Sequence, residues 1–336
     1  MAGNLKTRAD KVAAPRRGKR SATEKGWLPV ALKSLHPERY APCDLYRRLG
    51  VGQHVLFARR GLSFSRTDRQ KLFAHGVSHL FIRQADAARY FRYVREILSS
   101  VVRDPATSPE NKAATVHAAC QDIMRQVFEE PRAVFVSQAH EVIAPTLDLI
   151  TADDKATRCL VRLTAYDHST YTHSANVGIF AAALSRIIFG KKADRDLERI
   201  GPGFFLHDLG KCRIPLEILN KPGPLDPGEW EVVKRHPGDG VKILEESGFL
   251  TDEARIIALQ HHEKDDGSGY PHGLKGGDIH PLARICRLAD VYEALTSKRP
   301  YHQRRSTYEA LKLMKETILV DMDREFFDHF VRLFRS

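Results

Sequence analysis

The chemistry open to this chain of 336 residues lies in its histidines and aspartates. His173 falls in THSANVGIFAAAL, His207 and Asp208 are adjacent in FFLHDLGKCRIP, His236 closes VVKRHP, and His261 and His262 close IIALQHHE. Asp290 sits in PLARICRLADVYEAL, where Leu282, Ala283, Cys286 and Ala289 mark an apolar helix face onto which Asp290 also projects. A carboxylate on such a face is costly unless it is paired or bound to a metal. Alone, any one of these histidines reads as an ordinary core or surface side chain. Together, five imidazoles and two carboxylates on separate helices suffice for two metal ions that share a bridging carboxylate and keep positions open for water and substrate. Nitrogen and oxygen donors without thiolate point to iron, manganese or a neighbouring first-row metal, with zinc still open.

Helices must position these residues. In LDPGEWEVVKRHP, Asp226 reads as an N-cap, Pro227 as the first helical residue and Glu229 as the partner in a capping box, so a helix starts near 227. Further helices are expected over 172–188, 194–209, 251–262, 281–295 and 307–318, with no strand alternation between them. The expected fold class is mainly α, with an all-α helical bundle over 164–336. Residues 108–163 read as two connecting helices separated by Pro131. Over 26–107 the short alternating runs DLYRRL, HVLFARRG and SHLFIRQ join the helical RYFRYVREILSSV in a smaller N-terminal α/β domain with a regulatory or docking role. Its His54, His75 and His79 show no ligand spacing. Residues 1–25 form a basic tail.

Composition narrows the classes. Hydrophobic residues at 42% and charged residues at 28% exclude both wholesale disorder and a membrane protein. The longest apolar stretch, 177–190, is interrupted by Ser185 and Arg186 and falls short of the ~20 residues a bilayer requires. The basic tail lacks the apolar core of a secretory signal. Five scattered cysteines, at 43, 120, 159, 212 and 286, offer no CxxC pair, which argues against a disulfide framework or zinc ribbon and for a reducing cytoplasm. A net charge of +11 suits nucleic acid, an acidic membrane surface or a small polyanion. No nucleic-acid-reading motif accompanies it, which disfavours the first.

The ordered series of His173, HDLGK, Arg235-His236-Pro237, HHEKDDGSGYP and ADVYEALTSKRPY resembles the HD-GYP subgroup of the HD phosphohydrolase superfamily, over about half of the chain from Leu163 to Phe334. The resemblance implies an HD-type helical bundle and a phosphodiesterase that opens cyclic di-GMP to pGpG, or carries it on to GMP. It implies that His173, His207, Asp208 and Asp290 hold one metal, with Asp208 bridging to a second held by His236, His261 and His262. Asp208 and Lys211 take catalytic roles, Lys211 lying near the scissile phosphate. Gly269, Tyr270 and Pro271 match the loop near the substrate, and Arg299 matches an arginine that contacts cyclic di-GMP. Tyr270 suits either stacking on a guanine or packing within its turn.

The sequence departs from the family at three places. Ser169 stands where members with a third metal carry glutamate, which implies two divalent ions, Fe or Mn. His302 and Gln303 precede Arg304, so a substrate contact rests on a displaced arginine. Lys264 replaces an arginine after HHE. Glu263 reads either as a carboxylate orienting a histidine or as a surface side chain. Association with GGDEF cyclases follows from family behaviour, and an oligomer is compatible with it. The alternative is a cyclic di-GMP receptor that turns over little and signals through its N-terminal domain.

Overall fold

A computed structural model describes residues 26–334 apart from 33–34, 36–38, 51, 64, 165–169, 298–304 and 320–321. Four antiparallel strands, β1 (Trp27–Ala31), β2 (Leu45–Gly50), β3 (Gln53–Ala58) and β4 (His79–Arg83), form a sheet in the order β1-β4-β2-β3. Alternation sets the two faces: Leu28, Val30, Leu80 and Ile82 are buried on one, while Trp27 and Phe81 lie on the other. The three expected runs are β2, β3 and β4. The reading did not include β1, whose Pro29 weakens the strand signal and is tolerated at a sheet edge. It also missed α1 (Arg66–Ala74), a polar helix that buries only Leu72 and starts at a Ser65/Asp68 capping box.

The helical run begins with α2 (Ala87–Arg103), whose Tyr90, Phe91, Val94, Ile97 and Leu98 form a buried stripe. Three helices follow where two were expected: α3 (Pro109–Glu129), α4 (Ala133–Ala152) and α5 (Asp154–Thr164). Asp153 makes the extra break. Its backbone is extended, and its carboxylate accepts the Ala156 N–H at 2.9 Å, so one helix ends there and the next begins. Pro145, by contrast, is accommodated inside α4.

Beyond 165–169 come α6 (Thr170–Phe189), α7 (Lys191–Leu206), a 3-10 turn over Leu209–Arg213, and the short α8 (Leu216–Leu219) and α9 (Pro227–Val233). The chain continues through α10 (His236–Ser247), α11 (Asp252–Gln260), α12 (Pro281–Thr296), α13 (Thr307–Leu313) and α14 (Arg324–Arg332). The Asp226/Glu229 capping box opens α9 as expected. Two helices stop earlier than their apolar pattern predicts, at Leu206 and Gln260, which leaves His207 and His261 as C-caps. The helix expected over 307–318 widens in its last part into a π turn, Met314–Ile318.

Among the described residues no strand follows β4. One continuous cluster of buried apolar side chains extends from Leu28 through Phe135, Phe180, Phe205 and Tyr292 to Phe330. Within it α6 lies against both α7 and α12, and α7 against α11. The helices that carry the histidines thus share one packed core. No helix among the described residues is long and apolar enough to cross a membrane.

Candidate metal centre

Asp208 occupies the middle of the histidine cluster and is only 1% exposed. It follows His207, the C-cap of α7, in the sparsely populated bridge region, at φ −98° and ψ 9°. Its two oxygens face different partners. Oδ2 lies 3.2 Å from His173 Nε2 and 3.4 Å from His207 Nε2, and Oδ1 lies 3.3 Å from His236 Nε2 and 3.6 Å from His261 Nε2. Asp290 joins the first group with Oδ1 3.2 Å from His173 Nε2, and reaches towards the second with Oδ2 3.9 Å from His262 Nδ1. One donor atom each from Asp208, His236, His261 and His262 lies within 4.8 Å of the others, as do those of His173, His207 and Asp208.

Helix ends orient the rings. His207 Nδ1 donates to the Phe204 carbonyl at 2.8 Å, His236 Nδ1 to Val233 at 2.7 Å, and His261 Nδ1 to Ala258 at 2.9 Å. In all three the acceptor is the carbonyl three residues back, one of those a helix C-terminus leaves without an intrahelical partner. Each hydrogen bond protonates Nδ1 and turns the Nε2 lone pair inward. The C-termini of α7, α9 and α11 therefore converge on Asp208, and their partial negative charges favour a cation between them.

His173 is fixed differently. Its Nδ1 donates in a short hydrogen bond to Glu293 Oε2, while Glu293 Oε1 accepts from Ser297 Oγ and, at 3.4 Å, from Asn176 Nδ2. Asn176 in turn faces His117 of α3 at 3.3 Å. Sequence reasoning missed Glu293 and Asn176. Each stands three residues after a ligand candidate on the same helix, Asp290 and His173, which was the available signal.

The donor set fits divalent metal ions. His173 Nε2, His207 Nε2 and Asp208 Oδ1 are buried and make no hydrogen bond, a cost that coordination would remove. Burial opposes the charge on Asp208, yet the Lys211 ammonium and His207 hold its carboxyl well below the usual range. Asp290 is likewise held low against burial, by His173 and His262. Burial pushes His261 down to about 4 and, reinforced by His261, pushes His262 well below its ordinary value, leaving both as neutral donors at pH 7. Burial would also lower His173, but Glu293, Asp208 and Asp290 outweigh it and raise the ring well above its ordinary value. Three carboxylates around one ring favour a cation at Nε2 for the same reason.

The remaining expected residues divide. Lys211 forms a close ion pair with Asp208 Oδ2. Tyr270 stacks on His262, with ring centroids 4.7 Å apart, and meets Trp230 edge-on at 5.8 Å. Gly269 lies where a Cβ would overlap the backbone of Glu263 and Lys264, so the loop closes tightly beneath His262, and Pro271 follows through a cis peptide bond. Glu263 matches neither expectation. It is fully buried, and its carboxylate accepts the N–H groups of His272 at 2.7 Å and Leu274 at 3.0 Å, which ties the 269–274 loop to the end of α11. Ser169, Arg299 and Arg304 lie outside the described residues.

Residues 189–326 match the family model of the HD domain. That segment is an HD domain. It holds the HD pair at 207–208, His236, the histidine pair at 261–262 and Asp290, whereas His173 precedes it. Among curated proteins, a cyclic di-GMP phosphodiesterase of Pseudomonas aeruginosa is 36% identical over 185 residues, covering 55% of this chain and 44% of that protein. A 3'3'-cGAMP-specific phosphodiesterase of Vibrio cholerae is 34% identical over 219 residues, covering 61% and 46%. The cyclic di-GMP phosphodiesterase response regulator RpfG of Xanthomonas campestris is 50% identical over 99 residues, covering 29% and 26%. The chain thus spans less than half the length of these relatives. A solved structure, an HDG"Y"P protein from Bdellovibrio bacteriovorus, aligns with a TM-score of 0.67 at 19% identity, covering 92% of this chain and 100% of that one. At that identity the likeness is one of fold, and it reaches well beyond the HD domain.

Proposed function

We propose that this chain is a metal-dependent phosphodiesterase that opens cyclic di-GMP to linear pGpG. The observation that carries the reading is Asp208, whose two oxygens are turned to two separate groups of histidines. His173, His207, Asp208 and Asp290 would hold one ion, and Asp208, His236, His261 and His262 a second, with iron or manganese matching the nitrogen and oxygen donors. Bound there, two divalent ions supply a nucleophilic hydroxide at neutral pH and offset the charge that develops on the phosphoryl oxygens. The names of the relatives support a cyclic dinucleotide as substrate.

The chain's own side chains supply the rest. In the hydrolysis the water oxygen ends on phosphorus, the P–O bond to the ribose 3' oxygen breaks, and that oxygen takes a proton. The Lys211 ammonium, paired with Asp208, would stabilise the departing oxygen. The loop of Gly269, Tyr270 and Pro271, anchored by Glu263, would border the substrate, with Arg299 and Arg304 contacting its phosphates or bases. We assign residues 164–336 to this activity, 108–163 to connecting helices, 26–107 to regulation or docking and 1–25 to a basic tail. GGDEF cyclases are the partner class that this activity suggests.

An anaerobic assay of the full chain tests the reading, with Fe(II) or Mn(II), cyclic di-GMP and 3'3'-cGAMP as substrates, and chromatographic separation of products. Metal-dependent accumulation of pGpG is expected. Intact substrate in the presence of two bound ions per chain would overturn it and leave a receptor.

A further inference from the structure

The N-terminal region carries an open surface cavity that several arginines line, remote in sequence from the metal centre. Arg89, Arg92, Tyr93 and Glu96 stand at i, i+3, i+4 and i+7 of α2, so they share one face of the helix. That face is not the one that buries Tyr90, Phe91, Val94, Ile97 and Leu98 in the core. Opposite it runs the chain at 40–42, pinned to the end of the β2–β3 hairpin by Ala41 N–H to the Leu62 carbonyl at 2.8 Å and Gly61 N–H to the Ala41 carbonyl at 3.0 Å. This pinning brings Tyr40 and Arg60 to the rim, and an open cavity of about 520 Å³ lies between the two walls.

The lining has a definite chemistry. Three arginines line one space: Arg89 is paired with Asp86 at 2.7 Å, whereas Arg60 and Arg92 have no ion pair among the described residues. Tyr40 is 71% exposed at the rim, and among the described residues no ring stacks on it. Among the described residues Glu96 is the only acid in the lining. Inorganic phosphate would gain nothing from that carboxylate, and an apolar ligand nothing from the arginines. The complement is a flat aromatic anion that presents two adjacent N–H donors as well as acceptors. Guanine has both: its N1–H and N2–H groups suit a carboxylate, and its O6 and N7 suit an arginine fork. Tyrosine faces take bases by stacking, and the remaining arginines take phosphate.

We propose that this cavity binds a guanine nucleotide at a site separate from the metal centre. The assignment stands on the cavity's own geometry and does not depend on phosphodiesterase activity. Its position gives occupancy a route to the rest of the molecule, because α2 packs on α4, partly through Arg95 to Glu141 at 2.9 Å, and α4 packs on α7, which leads to His207.

Calorimetric titration of the metal-stripped full chain with GMP, AMP and inorganic phosphate tests this. GMP should bind more tightly than AMP and phosphate by at least about tenfold, the scale of one good bidentate base contact. The Arg60→Ala/Arg92→Ala double variant should weaken GMP binding by about tenfold or more, and Glu96→Gln should bring GMP and AMP within about threefold of each other. Asp208→Ala should leave GMP affinity unchanged, which separates this site from the metal centre. All the substituted cavity residues are exposed, and an unchanged melting temperature verifies folding; Glu96→Gln, which conserves shape, carries the test if the double variant does not fold. Equal affinity for GMP and AMP in the unsubstituted chain, GMP binding that ignores Glu96→Gln and the arginine pair, or GMP binding lost with Asp208→Ala would each overturn the proposal.

Discussion

Glu293→Gln perturbs the histidine centre without replacing any proposed metal ligand. In the native chain one carboxylate oxygen takes the His173 Nδ1 proton, and the other accepts from both Asn176 and Ser297. An amide has a single acceptor oxygen. If it serves His173, its NH2 group meets the Asn176 NH2 donor, and if it serves Asn176, His173 loses its acceptor. Either way a buried donor is left unpaired, at a cost of about 1 to 3 kcal/mol. The carboxylate that raises the basicity of the His173 ring is lost as well.

Loss of such a supporting partner weakens metal binding by about 10- to 100-fold, or about 1.4 to 2.7 kcal/mol. The weakening should be confined to one of two ions, because His236 and His261 are oriented by the backbone carbonyls of Val233 and Ala258 and do not depend on Glu293. Anaerobic titration of the stripped full chain with Mn(II) reads both the stoichiometry and the separate affinities. The expected result is one tight event kept within about twofold and one weakened by about 10- to 100-fold, with Glu293→Asp falling between the variant and the native chain. Two unaltered events, or equal weakening of both, would refute the division of the centre into two groups sharing Asp208.

Three further outcomes follow from named contacts. Lys211→Ala removes the ammonium paired with Asp208 while leaving every proposed ligand in place, so turnover should fall by about 100-fold with metal content unchanged; parallel loss of metal would show Lys211 to be structural. Gly210→Ala places a Cβ against the His236 carbonyl and the Gly240 amide, which forces the 3-10 turn and α10 apart. Denaturant melts should show a loss of about 1 to 3 kcal/mol, and Mn(II) affinity at the His236 side should drop with it. His79 is pushed down to about 4 by burial, Arg125 and Arg48, and its Nε2 accepts from Arg125 Nη2 at 2.8 Å. Its folded value lies below its unfolded value near 6.5, so the unfolded chain binds the extra proton and stability falls as pH drops from about 6.5 to about 4. In His79→Gln the melting temperature should change less across that window, and an unchanged slope would remove His79 as a source of acid sensitivity.

The site was far more legible than the domain in front of it, for physical reasons. Metal ligands come from few residue types, and a buried Asp beside helical histidines has few bland explanations, so their order along the chain pointed to one place. Glu293 and Asn176 belong to residue types with many ordinary uses, and only the packing of α6 against α12 shows that they support His173. Helix count failed at Asp153, where a single capping carboxylate divides what periodicity reads as continuous. The sheet was partly hidden because β1 contains Pro29, and α1 because its pattern is nearly all polar. The N-terminal cavity needs Tyr40 and Arg60 brought to α2 by a turn that leaves no periodic signal, although the four positions on α2 could have been read from their spacing.

Helix termini explain why the expected helices at 194–209 and 251–262 stop short. Were α7 and α11 to continue, the carbonyls of Phe204 and Ala258 would be taken by backbone amides, and the His207 and His261 rings would lose the acceptors that aim them. Ending each helix at its histidine frees the carbonyl three residues back and points the negative end of the helix dipole at Asp208. Ring orientation and local field are therefore set by the same backbone atoms. A change that shifts the backbone beside a ligand, as a Cβ at position 210 would shift His236 at the start of α10, should alter ligand direction and cation affinity together. A change at Glu293 alters them only at His173, whose ring is aimed by a side chain instead of a helix end.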